Sequence, residues 1–496
     1  VLLLACGSSH KPEPTNARDP RSNAGALAGS LAANGGSGGS SATSTGRAGT
    51  AGAGRGGSGG SGAGGAGSES SGDGASGVAA GGGGAAATIE CSGSIDAPTA
   101  PVVVAARITC SRSTDVLTIA AGAANSGWVA ERAFDASSGK FTSFFFHVTE
   151  SAVTVETLAA DVIFPLVTSD SAGVPALATT KKNSLDWLSR PAGATSGWSA
   201  TSAATTTDPS DQVGDLAIAA DGTQYLTARL FGGSSETVQL ETRSSGAANF
   251  THTGVVTMLG QSALSVDASG GPHISYWSPG RGLFDWQPGG AATAAILSST
   301  DASAMPRLHR SRASGGGPLA IAVSLADSVH VVRQRSDATF DDIKLADSAP
   351  TPYGLGSSFP CQATTCQTPV HQVGEYQRGV ALAQTTDGSQ WIVLVHDHID
   401  RDISYTTLGG GQCMCGPKLE PQNDRSTSAL VVQRLAPDSA TPSAVLWKLD
   451  LGAPSPLGSM LDASAAGSLL HIVIDAALNQ NPSLLRYLIL DTALLH

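Results

Sequence analysis

The sequence predicts an all-β fold, a β-propeller of about seven four-stranded blades (six to eight fit), behind a disordered Gly/Ser/Ala tether. Three observations carry that expectation. Turn glycines that look equivalent recur between alternating apolar runs at Gly127, Gly173, Gly222, Gly271, Gly317, Gly388 and Gly467, spaced by 46, 49, 49 and 46 residues and then by 71 and 79. A period in the high forties is the length of one four-stranded blade. The third strand of each unit ends apolar-polar-apolar, as in Leu185-Asp186-Trp187, Val238-Gln239-Leu240, Phe284-Asp285-Trp286, Val329-His330-Val331, Ile403-Ser404-Tyr405 and Leu485-Arg486-Tyr487. Such alternation puts two apolar side chains on one sheet face, toward a neighbouring blade. Finally, residues 24–87 are almost wholly Gly, Ser, Ala and Thr, a composition that cannot bury enough apolar surface to offset its ordering entropy.

Taken in order, the chain opens VLLLACGSS. Leu3-Leu4-Ala5-Cys6 resembles the bacterial lipobox, and the resemblance implies a lipid on Cys6 and residues 1–5 as the end of a signal peptide. The expected organisation is thus leader 1–5, lipidated Cys6 with its linker 6–88, and a propeller domain 89–496. As a Gly-rich coil, the linker would reach about 50 Å, enough to hold a domain clear of lipid headgroups. GAGRGG at Gly52–Gly57 fits a dinucleotide fingerprint and GGSGG at Gly56–Gly60 a nucleophile elbow. Neither follows a strand nor opens a helix, so both are discarded as chance matches in low-complexity sequence.

The stretch from Ala263 to Trp286, ALSVDASGGPHISYWSPGRGLFDW, is the clearest repeat unit: three alternating runs joined by two Gly turns, a three-strand meander. It resembles bacterial propellers whose blades read apolar-x-apolar-Asp-x-x-Gly-x-x-His, best at Val266-Asp267-Ala268-Ser269-Gly270-Gly271-Pro272-His273, and the resemblance covers roughly Val102 to Leu495. Asp221-Gly222 and Asp387-Gly388 depart from the pattern, with Tyr225 and Trp391 in place of His. Thr385–Trp391 is also similar to the Asp-box of sialidase-type propellers but one residue short. These residues read as turn chemistry, in which Asp accepts backbone hydrogen bonds and Gly supplies positive φ.

The excess length of the sixth and seventh units falls at Asp347–Arg378 and Gly409–Ser428, which hold Cys361, Cys366, Cys413 and Cys415. Six Cys beyond Cys6, in a chain expected to be exported, point to disulfides. Cys91 and Cys110 are expected to pair. The other four allow three connectivities; cross-pairing between the insertions is favoured because a Cys413–Cys415 bond would close a strained ring. In this strand phase, however, the insertions leave opposite faces of a blade, so one of the two inferences must give. A zinc site of all four thiolates is the competing reading, at unusual C-x4-C and C-x-C spacings.

His396-Asp397-His398-Ile399-Asp400-Arg401-Asp402 is the densest polar cluster. In the repeat register it is the turn between second and third strands. His396, His398, Asp400, Asp402, Arg401 and the loop residue Arg281 are the candidate ligand contacts; two His two apart on a strand can also share a face and hold a metal with a carboxylate. The bland alternative is a solvated hairpin tip, so no metal, cofactor or catalytic residue is assigned. Asp267, His273, His471 and Asp475 read as structural.

A net charge of -12 disfavours nucleic acid, which selects Lys/Arg patches. No run of 18 or more apolar residues is present, so no helical membrane span is expected. The combined expectation is a monomeric binding or scaffold protein of the bacterial cell envelope, outer membrane or cell surface, touching the membrane through its lipid anchor only and recognising a polysaccharide or protein. The alternative is a carbohydrate-active propeller enzyme, a glycoside hydrolase or lyase. An enzyme should bring Asp, Glu, His or Arg side chains together in one channel mouth, whereas a binding module should show an aromatic or polar platform without a carboxylate pair. Ring closure is expected from the β-branched run Val102–Ile108, which has no hairpin partner of its own and should add to the last blade beside Leu484–Leu490.

Overall fold

Alternating apolar runs fold into hairpins wherever an Asp/Gly turn reverses the chain, and the computed structural model shows seven such meanders. It describes residues 89–135, 140–191, 194, 196–208, 210–232, 235–258, 262–290, 295–299, 307–310, 319–325, 328–335, 339–347, 359–360, 370–407, 414–419, 424–437, 439–453, 460–475 and 483–495. Cys6, the tether, Cys361, Cys366 and Cys413 lie outside them. Blade 1 runs from its inner strand Ser113–Ala121 through Gly127–Asp135 and Lys140–Val148 to its outer strand Val153–Thr157. Blades 2 to 5 follow with inner strands Ile163–Ser169, Gln212–Ile218, Ser262–Val266 and Arg307–Arg310. Blade 6 is built from Val370–Gln384, Gln390–Thr407, Thr427–Leu435 and Trp447–Gly452. The inner strands touch one another in sequence, and that of blade 7, Met460–Ala466, returns to that of blade 1, closing the ring of a β-propeller.

Blade 7 joins the two ends of the chain. Its strands Met460–Ala466, Leu469–Asp475 and Ser483–Asp491 are followed by Val102–Cys110. The ladder runs from Val102 opposite Leu490 to Cys110 opposite Ser483, the pairing expected from the sequence. A fifth strand, Cys91–Asp96, pairs outside it with Cys91 opposite Cys110, so Val102–Ile108 does have a hairpin partner, contrary to expectation, and the two cysteines form the expected disulfide.

Seven apolar clusters fill the seven seams between blades. Leu185 and Trp187 face blade 3, Val329 and Val331 face blade 6, and Leu485 and Tyr487 face blade 1. Blade 4 is out of phase by one residue: Leu283 faces blade 5, while Trp286 packs back on blade 3. Along the inner strands, side chains of one blade hold exposed-edge amides of the next. Asp215 Oδ2 accepts from Leu264 N at 2.9 Å, Thr118 Oγ1 from Val167 N at 3.1 Å, and Asp462 Oδ2 from Ile119 N at 2.9 Å across the closing seam. Inner-strand edges that would otherwise present unpaired amides are thereby satisfied.

The turn chemistry holds, with two corrections. Gly173, Gly222, Gly388 and Gly467 have positive φ as expected, but in blade 4 that conformation belongs to Gly270, not Gly271. There Asp267 Oδ1 accepts from the amides of Ser269 and Gly271, both at 2.8 Å. In blade 1 the positive φ is at Ala124, and Gly127 serves a different need. It begins the second strand where the Tyr487 hydroxyl of blade 7 presses against the backbone, so a Cβ would collide with it. Gly317 lies outside the described residues.

Blade 6 departs most from the expected phase. Ile403–Tyr405 is not a third strand but the far end of the 18-residue second strand Gln390–Thr407; the third strand is Thr427–Leu435. The cause is the long inner strand: its early residues pair with the region read as a turn, Val370 opposite Ile403 and Glu375 opposite His398. Both insertions therefore leave the same end of the blade. A short ladder sets Phe359 opposite Cys415 and Pro360 opposite Met414, so the opposite-face inference is the one that gives.

Candidate ligand-binding site

The predicted polar cluster lies on this strand extension and is split by the pleat. His396, His398, Asp400 and Asp402 share one face; Asp397 and Arg401 take the other. On the first face, Glu375 of the neighbouring strand meets His396 Nε2 at 2.7 Å and His398 Nδ1 at 2.6 Å. The two histidines hold the Glu375 carboxyl below its ordinary range. Asp402 meets His371 Nδ1 at 2.9 Å, and Asp400 accepts from Arg425 Nη2 at 2.9 Å. These are exposed pairs on an open strip. Among the described residues the one three-residue grouping with metal-ligand spacing is Cys91, Cys110 and Glu131, and its two sulfurs are bonded to each other. His396, His398 and Glu375 do not converge on a common point.

On the opposite face Arg401 is 4% exposed and donates from Nε to Gln372 at 2.9 Å. Asp397 is fully buried; burial pushes its carboxyl up to about 6, only partly countered by a hydrogen bond from Ser428. Arg281 belongs to blade 4, in the turn before Gly282–Trp286, with its guanidinium 4.8 Å from the Phe284 ring centre. The six candidate contacts thus do not form one site.

The repeat position occupied by His273, Tyr225 and Trp391 fixes turns. His273 sits between Asp285 at 2.7 Å and Asp267 at 3.3 Å. Burial pulls its pKa down, but the two carboxylates outweigh it and the net shift is upward. Tyr225 Oη donates to Gly270 O at 2.9 Å, and Trp391 Nε1 to Thr385 Oγ1 at 3.0 Å. His471 and Asp475 are fully buried in blade 7, His471 meeting the Tyr487 hydroxyl at 2.8 Å.

A cavity of about 410 Å³ lies between blades 1 and 2, beside the turns that follow their inner strands. Its wall is built by alternation. Phe145 and His147 point the same way along Lys140–Val148, and Trp128 of the neighbouring strand stands directly opposite His147. Trp128 stacks on both, 3.9 Å from His147 and 5.4 Å from Phe145 between ring centres. Its indole N–H donates to Gly173 O at 2.9 Å, fixing the ring against blade 2. Gly173 combines positive φ with a backbone approach to Ala123 that a Cβ would block.

Blade 2 supplies the polar side. Arg190, just past Ser184–Ser189, lies 3.8 Å from the centre of Trp198 and 5.2 Å from that of Phe145. It forms a 2.5 Å ion pair with Glu156 of blade 1, which also accepts from Trp198 Nε1 at 3.1 Å. Trp198 meets Phe145 edge-on at 5.0 Å. Burial, and secondarily the Arg190 charge, lower the pKa of His147 below 6.5, so at neutral pH the imidazole is uncharged and offers one donor and one acceptor. Neither ring nitrogen has a hydrogen-bond partner among the described residues. Glu156 is the one carboxylate in the lining and is already neutralised.

The pocket is not legible in the sequence because its parts come from four strands and three loops of two blades. The visible signal was Phe144-Phe145-Phe146-His147 close to Trp128, in a chain only 5% aromatic.

No family model matches the sequence, and no curated protein does. The chain is similar in structure to an oligogalacturonate lyase in complex with manganese, with 10% identity and a TM-score of 0.42 over 82% of this chain and 100% of that one. It is similar to the β-propeller domain of the Trilobed protease from Pyrococcus furiosus, with 6% identity and a TM-score of 0.38 over 76% and 94% of the two chains. The SapL1 lectin in complex with alpha methyl fucoside is 14% identical, with a TM-score of 0.37 over 61% of this chain and 97% of that one.

Proposed function

We propose that this protein is a cell-envelope binding protein whose propeller presents the pocket between blades 1 and 2 to a neutral, ring-shaped ligand, a saccharide unit being the best fit. One observation carries the reading: the pocket is walled by Trp128, Phe145 and His147, and its single carboxylate, Glu156, is held in an ion pair with Arg190. Aromatic faces suit the C–H face of a sugar ring, and a few fixed polar groups at the edge suit its hydroxyls. The ion pair leaves no net charge to select an anion or a cation.

Hydrolysis by the usual two-carboxyl route needs a second carboxyl about 5–9.5 Å from the first. The inner-strand carboxylates Asp215 and Asp462 are occupied holding backbone amides. With Glu156 the one carboxylate of the lining, binding is favoured in this pocket over two-carboxyl hydrolysis.

In this proposal the lipid on Cys6 and the linker up to residue 88 keep the ring at the membrane surface. Fatty-acid labelling that disappears in Cys6→Ser supports the anchor, and labelling that persists in the variant refutes it. For the pocket, calorimetric titration with a panel of neutral mono- and oligosaccharides is the test. Trp128→Ala should weaken binding by about 30-fold, the loss of roughly 2 kcal/mol typical of an aromatic anchor. No binding by the wild type, or glycoside cleavage abolished by Glu156→Gln, overturns the reading.

A further inference from the structure

The seam between blades 6 and 7 opens outward into a second cavity, of about 380 Å³. On the wall formed by blade 7, Leu488 stands opposite Ala105, and the next pair on that face is half-buried Arg486 opposite exposed Arg107. The seam thus changes from apolar to cationic in one step of the pleat. Like charges directly opposite on adjacent strands repel. Arg107 is relieved by Asp96, 2.7 Å from its Nε. Arg486, half-buried in the cavity wall, has no hydrogen-bond or ion-pair partner among the described residues. From blade 6, Trp447 packs partly buried against the same seam, and Lys448 adds a further cation at the rim. Asp96 is the only acid in the lining, although the chain as a whole carries a net charge of -12.

A guanidinium in a concave site opposite another, with five donors and no partner among the described residues, suits a planar or tetrahedral oxyanion. Trp447, in the same lining, offers a flat apolar face to a ring bearing that anion. We propose that this cleft binds an oxyanion group, a carboxylate or sulfate, with Arg486 as its anchor and Arg107 as the second contact. The site is independent of the neutral pocket between blades 1 and 2.

The test is titration of the full chain with sodium sulfate, glucuronate and glucose at low ionic strength, followed by calorimetry and by tryptophan fluorescence. Both anions should bind and glucose should not compete for the cleft. Tighter binding of glucuronate than of sulfate, with the difference lost in Trp447→Ala, assigns a ring-borne anion; equal binding assigns the bare oxyanion. Arg486→Gln should weaken both by at least about tenfold. Should that variant fold poorly, Arg486→Lys keeps the charge but loses the two-pronged geometry and should still bind several-fold more weakly. Binding unaffected by either variant, or no binding of either anion by the wild type at about 10 mM, overturns the proposal.

Discussion

Asp397 offers a sharp test of how blade 6 is built. Its carboxyl is buried on the seam side of the strand extension and is raised from the ordinary 3.8 to about 6. A group whose pKa is higher in the folded chain binds its proton more tightly there than in the unfolded chain. Its contribution to stability is therefore complete below pH 3.8 and is lost as the pH rises through about 6. A change of that size corresponds to about 3 kcal/mol across the window. Asp397→Asn keeps an acceptor for the Ser428 hydroxyl and removes the titration. The amide it introduces costs about 1–2 kcal/mol if left unpaired, but equally at every pH. The quantity to read is thus the difference between variant and wild type as a function of pH. Urea unfolding followed by tryptophan fluorescence should show the variant gaining about 2.5 kcal/mol on the wild type between about pH 4 and pH 7.5. Stability curves that run parallel across that range would refute the burial argument.

Three further outcomes are expected. Deleting residues up to Ile108 removes Val104 and Ile108, each about 1.5–3 kcal/mol of buried surface, and opens a sheet edge; solubility or cooperative unfolding should be lost, whereas deletion only to Ala87 should cost neither. A soluble, cooperatively unfolding product of the longer deletion would show that the closing strand is dispensable. Gly127→Ala should destabilise by about 1–3 kcal/mol through collision with the Tyr487 hydroxyl, and Tyr487→Phe in the same chain should recover part of the loss; full stability of the single variant contradicts the close approach. Peptide mapping without reduction should return Cys91–Cys110 together with links joining Cys361 or Cys366 to Cys413 or Cys415, while two or more free thiols with stoichiometric zinc would favour the metal reading.

The ring was legible in the sequence because its period is written by turn residues whose chemistry is local. Asp267-x-x-Gly270 and Asp387-Gly388 need no tertiary context to be read as turns, and the β-branched run Val102–Ile108 pointed to its place beside the last strand, although its hairpin partner Cys91–Asp96, a polar stretch, was not legible. Blade 6 was misread where local logic fails: His396–Asp402 has turn composition, yet a partner strand more than twenty residues upstream, around Glu375, keeps it extended. The pairing between blades 1 and 2 that makes the pocket, Trp128 to Gly173 and Arg190 to Glu156, joins residues 45 and 34 positions apart in neighbouring meanders. No periodicity encodes such a meeting. Arg486 was noted only as the polar middle of an alternating triplet, because its opposition to Arg107 exists only once the ring is closed.

The strand that completes the last blade, Val102–Cys110, is synthesised before the inner strand of the first. Val102 must wait for Leu490, 388 positions later, before it finds its ladder. Until then the hairpin of Cys91–Asp96 with Val102–Cys110 exists without the blade it belongs to. The delay has little thermodynamic cost. Loop-closure entropy grows by only about 0.6 kcal/mol per doubling of length, so joining the ends of the whole ring costs about 2 kcal/mol more than closing a single blade. The burden is kinetic: a chain made from its N-terminus carries an unsatisfied strand through the making of six blades, and any chaperone that attends it would have that strand to shield.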